Sequence, residues 1–287
     1  MMRIALPNKG RLAEGARELL ERAGLEFEMR GERALQASLG GEFLALFVRA
    51  PDIPEFVADG AADVGITGRD LVVETGRDVV ELLDLGFGRC RLVVAAREDS
   101  GIHSLAQVPE GARVATVFPR LTADFFRRAG RTITLVPISG AAEIAPHLGV
   151  ADIIVDLVST GSTLKTNGLH EVETVLDSTA LLIVRDALLE DDVAARRIRE
   201  LVAALESVLR AQNKRYLMAN VRRDTLPEIR RILPGISGPT IIDLMNGHDL
   251  VAAHAVVDAA EVYRVIADLK AVGAEGILVT KIERLMP

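Results

Sequence analysis

The sequence is poor in residues that several classes of protein need. Its 287 residues include no tryptophan, only 3% aromatic residues and one cysteine, and its formal net charge is −7. Nucleic-acid proteins usually present a basic face with stacking aromatic side chains, so no nucleic-acid partner is expected. One cysteine, Cys90, excludes an intrachain disulfide framework, and a cytoplasmic location is the default expectation.

Long hydrophobic runs and clusters of metal ligands are also missing. No apolar stretch approaches the roughly 20 residues of a membrane helix, so no membrane partner is expected. The opening segment, MMRIALPNKGRL, turns polar too early for the apolar part of a secretory signal. Neither the cysteine nor the histidines show metal-ligand spacing, so we expect no metal site built from protein alone. The histidines are His103, His147, His170, His248 and His254.

What the chain does have is an alternation of apolar strands and amphipathic helices. Hydrophobic residues make up 49% of it and charged residues 26%, which is typical of a globular protein with a sizeable core. The alternation before residue 212 predicts an α/β fold with parallel sheets and covering helices. Residues 79–98 form an extended segment that could run from one domain into another, and residues 140–149 are predicted as a helix. Beyond residue 212 the order βαββαβ predicts a small ferredoxin-like domain.

A dense group of hydroxyls and glycines follows one predicted strand. Residues 156–168 read DLVSTGSTLKTNG, and they come directly after the apolar run ADIIV at 151–155. Such a run is typical of a parallel strand buried on both faces, and ligands of open α/β sheets bind beyond the carboxyl ends of these strands. Small side chains and accessible backbone N–H groups at that place suit a phosphate, although a solvated surface loop has a similar composition.

Two further strand-end segments carry charged residues. PNKGRL, residues 7–12, places Lys9 and Arg11 between the first strand and the first helix, and Arg49 ends another predicted strand. DVGITGRD, residues 63–70, places Asp70 after a glycine turn. Each segment alone is compatible with a solvated turn or a tight packing corner. Taken together, the cations predict a strand-end edge that faces an anion.

The order and spacing of these motifs resemble one family over essentially the full chain. Residues 143–164, EIAPHLGVADIIVDLVSTGSTL, are similar to the signature segment of ATP phosphoribosyltransferase, the first enzyme of histidine biosynthesis. PNKGRL, DVGITGRDLV, LGFGRCRL, SGPTI and GAEGIL match in the same order. The resemblance is to the long form of the family, which carries its own C-terminal regulatory domain.

The resemblance implies a fold and its boundaries. We expect a catalytic part of two α/β lobes that resembles a type II periplasmic binding protein, followed by a ferredoxin-like, ACT-like βαββαβ domain. The expected first lobe comprises residues 1–91 and 177–211, and the second lobe, with the phosphoribosyl-binding loop, comprises residues 92–176. Residues 212–287 are the expected regulatory domain.

The resemblance also implies a reaction. Adenine N1 of ATP attacks C1 of phosphoribosyl pyrophosphate and releases pyrophosphate. Magnesium held through the substrate phosphates and nearby cations would stabilise the leaving group, and carboxylates near the ribose would stabilise a cationic carbon. Adenine N1 is unprotonated at neutral pH, so the reaction needs no strong general base. Orientation of the two substrates alone would supply ~7–11 kcal/mol.

Site residues follow from the same resemblance. Lys9, Arg11 and Arg49 are the expected catalytic cations, and Lys9 and Arg11 bind ATP together with Asp70. Three residues are expected to bind the inhibitor histidine: Asn220, Thr240 and Ala274. The expected phosphoribosyl pyrophosphate site consists of Glu143, Asp156, Ser159, Thr160, Gly161, Ser162 and Thr163.

The resemblance finally implies regulation and assembly. L-histidine is expected to inhibit by binding to residues 212–287, and the chain is expected to form homo-oligomers built from dimers and reaching a hexamer. Because it carries the regulatory domain, it should need no second protein. A cytoplasmic ligand sensor on the same two-lobed frame is the alternative, and it would release no pyrophosphate when mixed with both substrates.

Overall fold

A computed structural model describes residues 1–29, 31, 34–245 and 249–286 of the chain. The chain divides into two compact units, residues 1–199 and the residues from 200 onward. The division falls inside one long helix, residues 192–211.

The first unit contains two mixed β-sheets. The strands of the seven-stranded sheet lie in the order β2-β3-β4-β1-β5-β12-β6, and those of the five-stranded sheet lie in the order β11-β7-β10-β8-β9. Their bounds are β1 (Met2–Pro7), β2 (Phe27–Met29), β3 (Gln36–Leu39), β4 (Phe43–Val48), β5 (Val64–Gly68), β6 (Val80–Asp84), β7 (Cys90–Arg97), β8 (Ala112–Thr116), β9 (Ile133–Pro137), β10 (Ile153–Val158), β11 (Leu169–Ser178) and β12 (Ala180–Val184).

Parallel strands form the centre of each sheet. β1 pairs in parallel with both β4 and β5, and β8 pairs in parallel with both β9 and β10. The prediction of parallel sheets is correct for these strands and wrong for the rest, because β12, β7 and β11 all pair antiparallel to their neighbours. The carboxyl ends of the parallel strands are where the motifs of the sequence lie.

Helices cover the sheets with one apolar face. The first helix buries Ala16, Leu19 and Leu20 at helical spacing and leaves its charged residues exposed. The helix that follows β8 begins at a proline and buries Leu121 and Phe126 in the same way. The helices are α1 (Ala13–Arg22), α2 (Ile53–Ala58), α3 (Arg69–Thr75), α4 (Pro119–Arg128), α5 (Ser162–Thr166) and α6 (Asp192–Ala211).

The chain crosses between the sheets twice. β6 belongs to the seven-stranded sheet and β7 to the five-stranded sheet, so the extended segment 79–98 does run from one lobe into the other, as predicted. The chain returns at Thr179, between β11 and β12. Two adjacent crossings of this kind place a cleft between two α/β lobes.

One predicted helix is wrong. Residues 140–149 contain only a 3₁₀ turn, Ala142–Ile144. Ala141 before the turn has a φ of 52°, in the left-handed region, and Gly149 after it has a φ of 68°. Pro146 lacks an N–H and cannot continue a helix from this turn. The turn instead packs Ala142 and Ala145 against β10.

The second unit contains the predicted βαββαβ order. Its four-stranded antiparallel sheet has the order β14-β15-β13-β16, and its helices bury Ile229, Val265 and Leu269 against one sheet face. This is a ferredoxin-like domain with both helices on the same side. The elements are β13 (Lys214–Arg222), α7 (Leu226–Ile232), β14 (Thr240–Asp243), β15 (Leu250–Asp258), α8 (Val262–Ala271) and β16 (Glu275–Lys281).

The architecture agrees with the predicted fold class. The first unit is a two-lobed α/β fold of the type II periplasmic-binding-protein kind, and a ferredoxin-like domain follows it. No helix in the described part of the chain is long and apolar enough to span a membrane.

Candidate active site

The hydroxyl-rich loop lies where the sequence places it, at the carboxyl end of a buried parallel strand. β10 ends at Val158, and α5 begins at Ser162. Gly161 between them has a φ of 78°, a conformation that side chains with a Cβ rarely adopt. This geometry turns the chain back on itself and leaves Ser159, Thr160, Ser162 and Thr163 exposed.

The loop forms a cavity of about 170 Å³ together with two carboxylates. Its floor is the end of β10, and its polar groups are hydroxyls, backbone amides and the carboxylates of Glu143 and Asp156. The structure therefore brings together the residues predicted to bind a phosphorylated sugar, except that Ser162 does not line the cavity directly. The lining residues are Glu143, Asp156, Leu157, Val158, Ser159, Thr160, Gly161, Thr163 and Leu164.

Burial and a neighbouring carboxylate both act on Asp156. Burial of Asp156 raises the pKa of its carboxyl, and the nearby charge of Glu143 raises that pKa further. The Leu157 N–H donates to Asp156 Oδ1 at 2.7 Å and opposes the rise. A hydroxyl donor or a cation entering the cavity would stabilise the ionised form of Asp156. Ribose hydroxyls and Mg²⁺ are both of that kind.

The predicted cations lie at one edge of the seven-stranded sheet. Lys9 and Arg11 follow β1, and Arg49 follows β4, and β1 and β4 are adjacent parallel strands. Asp70 follows β5, the other parallel neighbour of β1. All four therefore lie beyond the carboxyl ends of three adjacent strands. Lys9 is exposed, and Arg49 forms a bidentate ion pair with Asp52 at 2.9 Å.

Asp70 is buried, which sequence reasoning did not foresee. Its side chain is 1% exposed, and Arg11 Nη2 donates to its two oxygens at 3.1 and 3.2 Å. The Ser178 hydroxyl also donates to Asp70, and Arg11 Nη1 donates to the Gly88 carbonyl oxygen. Asp70 thus fixes the guanidinium of Arg11, and its own oxygens are occupied. A role in ATP binding would be exerted through Arg11.

A second cavity, of about 420 Å³, lies at the crossings between the lobes, and no sequence motif indicates it. It shares Val158 and Ser159 with the loop cavity. Segments that are far apart in sequence meet there, so only the crossover topology could have revealed it. The lining residues are Arg69, Asp84, Arg89, Cys90, Arg91, Val158, Ser159, Asp177, Ser178 and Thr179.

Within the described ranges, no group of three or more His, Cys, Asp or Glu side chains is arranged to hold a metal ion. His248 lies outside the described residues. Cys90 is buried, and burial raises the pKa of its thiol.

The residues predicted to bind the inhibitor are only partly together in the second unit. Asn220 on β13 pairs with Glu275 on β16, directly after Ala274, so Asn220 and Ala274 are neighbours. Thr240 begins β14, on the far side of β15 from β13. Asn220 pairs with Ala252 of β15, and Thr240 pairs with His254 of β15. Both pairs lie on the sheet face that the helices leave uncovered. Ideal strand geometry separates the backbones of Asn220 and Thr240 by about 12 Å.

Fold and site define a class: a two-lobed α/β protein with a cleft lined by strand-end loops. Within that class the chain belongs to the ATP phosphoribosyltransferase family. The family description "HisG: ATP phosphoribosyltransferase" matches residues 49–207, and "HisG, C-terminal domain" matches residues 211–284. The chain is an enzyme of the phosphoribosyltransferase type.

Relatives and solved structures support the same assignment. The chain is 61% identical over its full length to the whole of an ATP phosphoribosyltransferase of Gemmatimonas aurantiaca. It resembles a chain of the "ATP phosphoribosyl transferase (HisG:HisZ) complex from Thermotoga maritima" with a TM-score of 0.62 and 28% identity, covering 72% of this chain and 99% of that one. It shares only the fold with Tv2483 bound to L-arginine, at a TM-score of 0.51 and 12% identity, covering 73% of this chain and 85% of that one.

Proposed function

We propose that this protein transfers the phosphoribosyl group of phosphoribosyl pyrophosphate to N1 of ATP and releases pyrophosphate, the first step of L-histidine biosynthesis. The observation that carries the proposal is the loop cavity, where hydroxyls, a left-handed glycine and two carboxylates meet in a chain of this family. A phosphate and a ribose need such groups side by side. A ligand sensor on the same frame is not favoured, because the family and the relatives are named as enzymes.

Each part of the loop cavity has a task in this reaction. The amides and hydroxyls of residues 159–163 hold the 5′-phosphate, and Ser162, which begins α5, contributes through its bond with Thr160 at 3.0 Å. Asp156 accepts hydrogen bonds from the ribose hydroxyls. Glu143 lies at the ribose or its metal ion, and its negative charge favours the cationic carbon of the transition state. None of these groups has to remove a proton from the nucleophile.

Magnesium fits the residues of the site. The substrate's pyrophosphate is a strong Mg²⁺ ligand, and the ion usually keeps waters while bridging phosphates to one or two carboxylates. Glu143 and Asp156 face the same cavity, and their mutual repulsion favours a cation there. When bound, the ion neutralises charge on the departing pyrophosphate.

The cations at the sheet edge complete the cleft. Arg11 is held in place by Asp70 and Gly88, so its guanidinium needs no reorganisation when an anion arrives. Lys9 is exposed and can reach a phosphate in the cleft, and Arg49 would exchange its ion pair with Asp52 for a substrate phosphate. These three residues are the proposed catalytic cations on the ATP side.

Regulation and assembly extend the proposal. Residues 212–287 bind L-histidine as a feedback inhibitor through Asn220, Thr240 and Ala274. The solved Thermotoga chain belongs to a HisG:HisZ complex, and it covers 72% of this chain. This chain also carries the C-terminal family domain, at residues 211–284. We therefore propose that it acts in the cytoplasm as a homo-oligomer of dimers, up to a hexamer, without a second protein.

The test is product formation by the purified chain alone. ATP, phosphoribosyl pyrophosphate and Mg²⁺ should yield pyrophosphate and an equal amount of phosphoribosyl-ATP, detected by mass. GTP should give no product, because its N1 carries a hydrogen and has no lone pair free for attack. Binding of either substrate without pyrophosphate release would favour the sensor.

A further inference from the structure

The larger cavity at the lobe crossings has no assigned ligand, although it adjoins the loop cavity. Its wall is made from the turns between β6 and β7 and between β11 and β12, together with the start of α3. Val158 and Ser159 belong to both cavities, so one ligand can extend from the first into the second. This inference rests on the proposed function.

Three arginines and two aspartates, Asp84 and Asp177, line the cavity, and one of the arginines forms no ion pair with the described residues. Arg91 forms a bidentate pair with Glu171 at 2.6 and 3.0 Å, and Arg69 donates to Glu81 at 3.3 Å. Arg89 is exposed and makes no hydrogen bond or ion pair with any of the described residues. A guanidinium that lines a cavity without a partner retains all five of its donors for a ligand.

The neighbouring hydroxyls are already engaged. Ser178 donates to Asp70, and Thr179 donates to Asp84 at 3.0 Å and to the Phe87 carbonyl oxygen at 3.1 Å. These bonds hold the two crossings against each other. Gly88, just before Arg89, has a φ of 63°, and a Cβ there would come within 2.5 Å of the Leu12 side chain. The turn that presents Arg89 is therefore closely fixed.

We propose that this cavity receives the pyrophosphate group of phosphoribosyl pyrophosphate and that Arg89 is a binding residue for that group. The 5′-phosphate lies in the loop cavity, and the ribose passes Ser159. In the transfer, the lone pair of adenine N1 forms the new bond to C1 while the C1–O bond to pyrophosphate breaks. The electron pair of that bond leaves with the pyrophosphate oxygen, whose growing negative charge strengthens its interaction with Arg89.

The adjacency of the cavities favours this ligand over the triphosphate of ATP. Phosphoribosyl pyrophosphate carries phosphate groups at both ends of one ribose, so its two anionic ends fit two cavities that meet at a single residue. The triphosphate of ATP is on the other substrate, and nothing ties it to the loop that holds the 5′-phosphate. Binding of ATP in the larger cavity is the competing outcome of the test.

The test compares Arg89→Gln with Arg89→Lys and with the control Arg97→Gln. Arg97 lies at the other end of β7 and pairs with the surface residue Asp99. Calorimetry with magnesium pyrophosphate should show about tenfold weaker binding by Arg89→Gln, the effect of losing one charge-assisted hydrogen bond. The KM for phosphoribosyl pyrophosphate should rise by about the same factor. Arg89→Lys should recover part of the loss, and Arg97→Gln should match the wild type.

Two probes locate the effect within the site. Binding of ribose 5-phosphate, which reaches only the loop cavity, and the KM for ATP should both stay within about twofold of the wild-type values. Unchanged pyrophosphate binding by Arg89→Gln would overturn the assignment. A raised KM for ATP with an unchanged KM for phosphoribosyl pyrophosphate would overturn it in favour of ATP.

Failure of the proposed function has a different signature. A wild-type chain that releases no pyrophosphate on mixing with both substrates contradicts the reaction itself. The calorimetric comparison needs no turnover, so it still decides whether Arg89 binds pyrophosphate.

Discussion

At the scale of one residue, the left-handed backbone of Gly161 shapes the loop that is proposed to bind the 5′-phosphate. Its φ of 78° is strained for a β-branched residue, while a Cβ there would meet only Glu171 Oε1 at 3.4 Å and Val158 at 3.9 Å. Gly161→Val should therefore act by reshaping the loop backbone. We expect the KM for phosphoribosyl pyrophosphate to rise at least about tenfold and the KM for ATP to change by less than about twofold.

The control for Gly161 is a second left-handed glycine, Gly168, which lies after the other end of the same short helix. Gly168, beyond the end of α5, has a φ of 60° and open space around its Cβ position, and it does not line the cavity. Gly168→Val carries similar backbone strain away from the loop. Equal loss of substrate binding in both variants would mean that strain, and not the loop, explains the effect.

The charge of Asp156 should lower the stability of the folded protein while supporting its activity. Its pKa is raised, chiefly by burial, so folding favours its protonated form. The ionised carboxylate lowers stability above the folded-state pKa, and that penalty disappears as the pH falls through this pKa. Asp156→Asn keeps an acceptor for the Leu157 N–H and removes the charge. We expect a higher melting temperature at pH 7 and at least about tenfold lower activity.

The pH dependence of the melting temperature distinguishes the charge of Asp156 from general repacking as the cause of the stability change. The difference in melting temperature between Asp156→Asn and the wild type, measured without substrates, should shrink as the pH falls toward 4. A difference that stays constant with pH would show that the charge of Asp156 is not its source.

At the scale of elements, Glu74 ties one lobe to the other. Its carboxylate on α3 accepts from the N–H groups of Arg120 and Leu121 at 2.9 Å each, at the start of α4. Arg120 Nη1 also donates to the Thr75 carbonyl oxygen. Backbone N–H groups at a helix start have no partner within the helix, and a carboxylate satisfies them well.

Glu74→Ala should lower the free energy of unfolding by about 1–2 kcal/mol, because it removes both bonds. Urea denaturation measures this change. Glu55→Ala is the matched control, since Glu55 on α2 makes a surface ion pair with Arg77 at 3.8 Å and no other side-chain bond to the described residues. Loss of similar size in the control would contradict a special role for the contact at α4.

Elements also show what could be predicted from sequence. β10 and its loop were predictable because a strand buried on both faces leaves a continuous apolar run. β11 is harder to predict, because one of its faces is only partly buried and exposed glutamates, Glu171 and Glu173, occupy the strand. The burial of Asp70 and the second cavity depend on Ser178 and Thr179, which are far from Asp70 in the chain. Local sequence patterns carry no information about contacts between residues that are far apart in the chain.

At the scale of the whole molecule, the proposed regulation requires that histidine act outside the catalytic cleft. The catalytic residues proposed here belong to the first unit, and the histidine-binding residues belong to the second. An inhibitor at a separate site changes the equilibrium between states of different activity and does not compete directly with a substrate. Raising phosphoribosyl pyrophosphate should therefore not relieve inhibition by histidine.

Asn220 is the residue to change in a test of this regulation, because Asn220 and Ala274 are neighbours in the sheet, whereas Thr240 is two strands away. Asn220→Ala should raise the histidine concentration for half-inhibition by about tenfold, the effect of losing one hydrogen bond to a charged ligand. Asn213→Ala is the matched control, because Asn213 is exposed in the turn before β13, outside the proposed site. Steady-state rates at several phosphoribosyl pyrophosphate concentrations give both results. If Asn220→Ala leaves the sensitivity to histidine unchanged, histidine does not bind on this face of the sheet. Inhibition that excess phosphoribosyl pyrophosphate abolishes would likewise place histidine at another site.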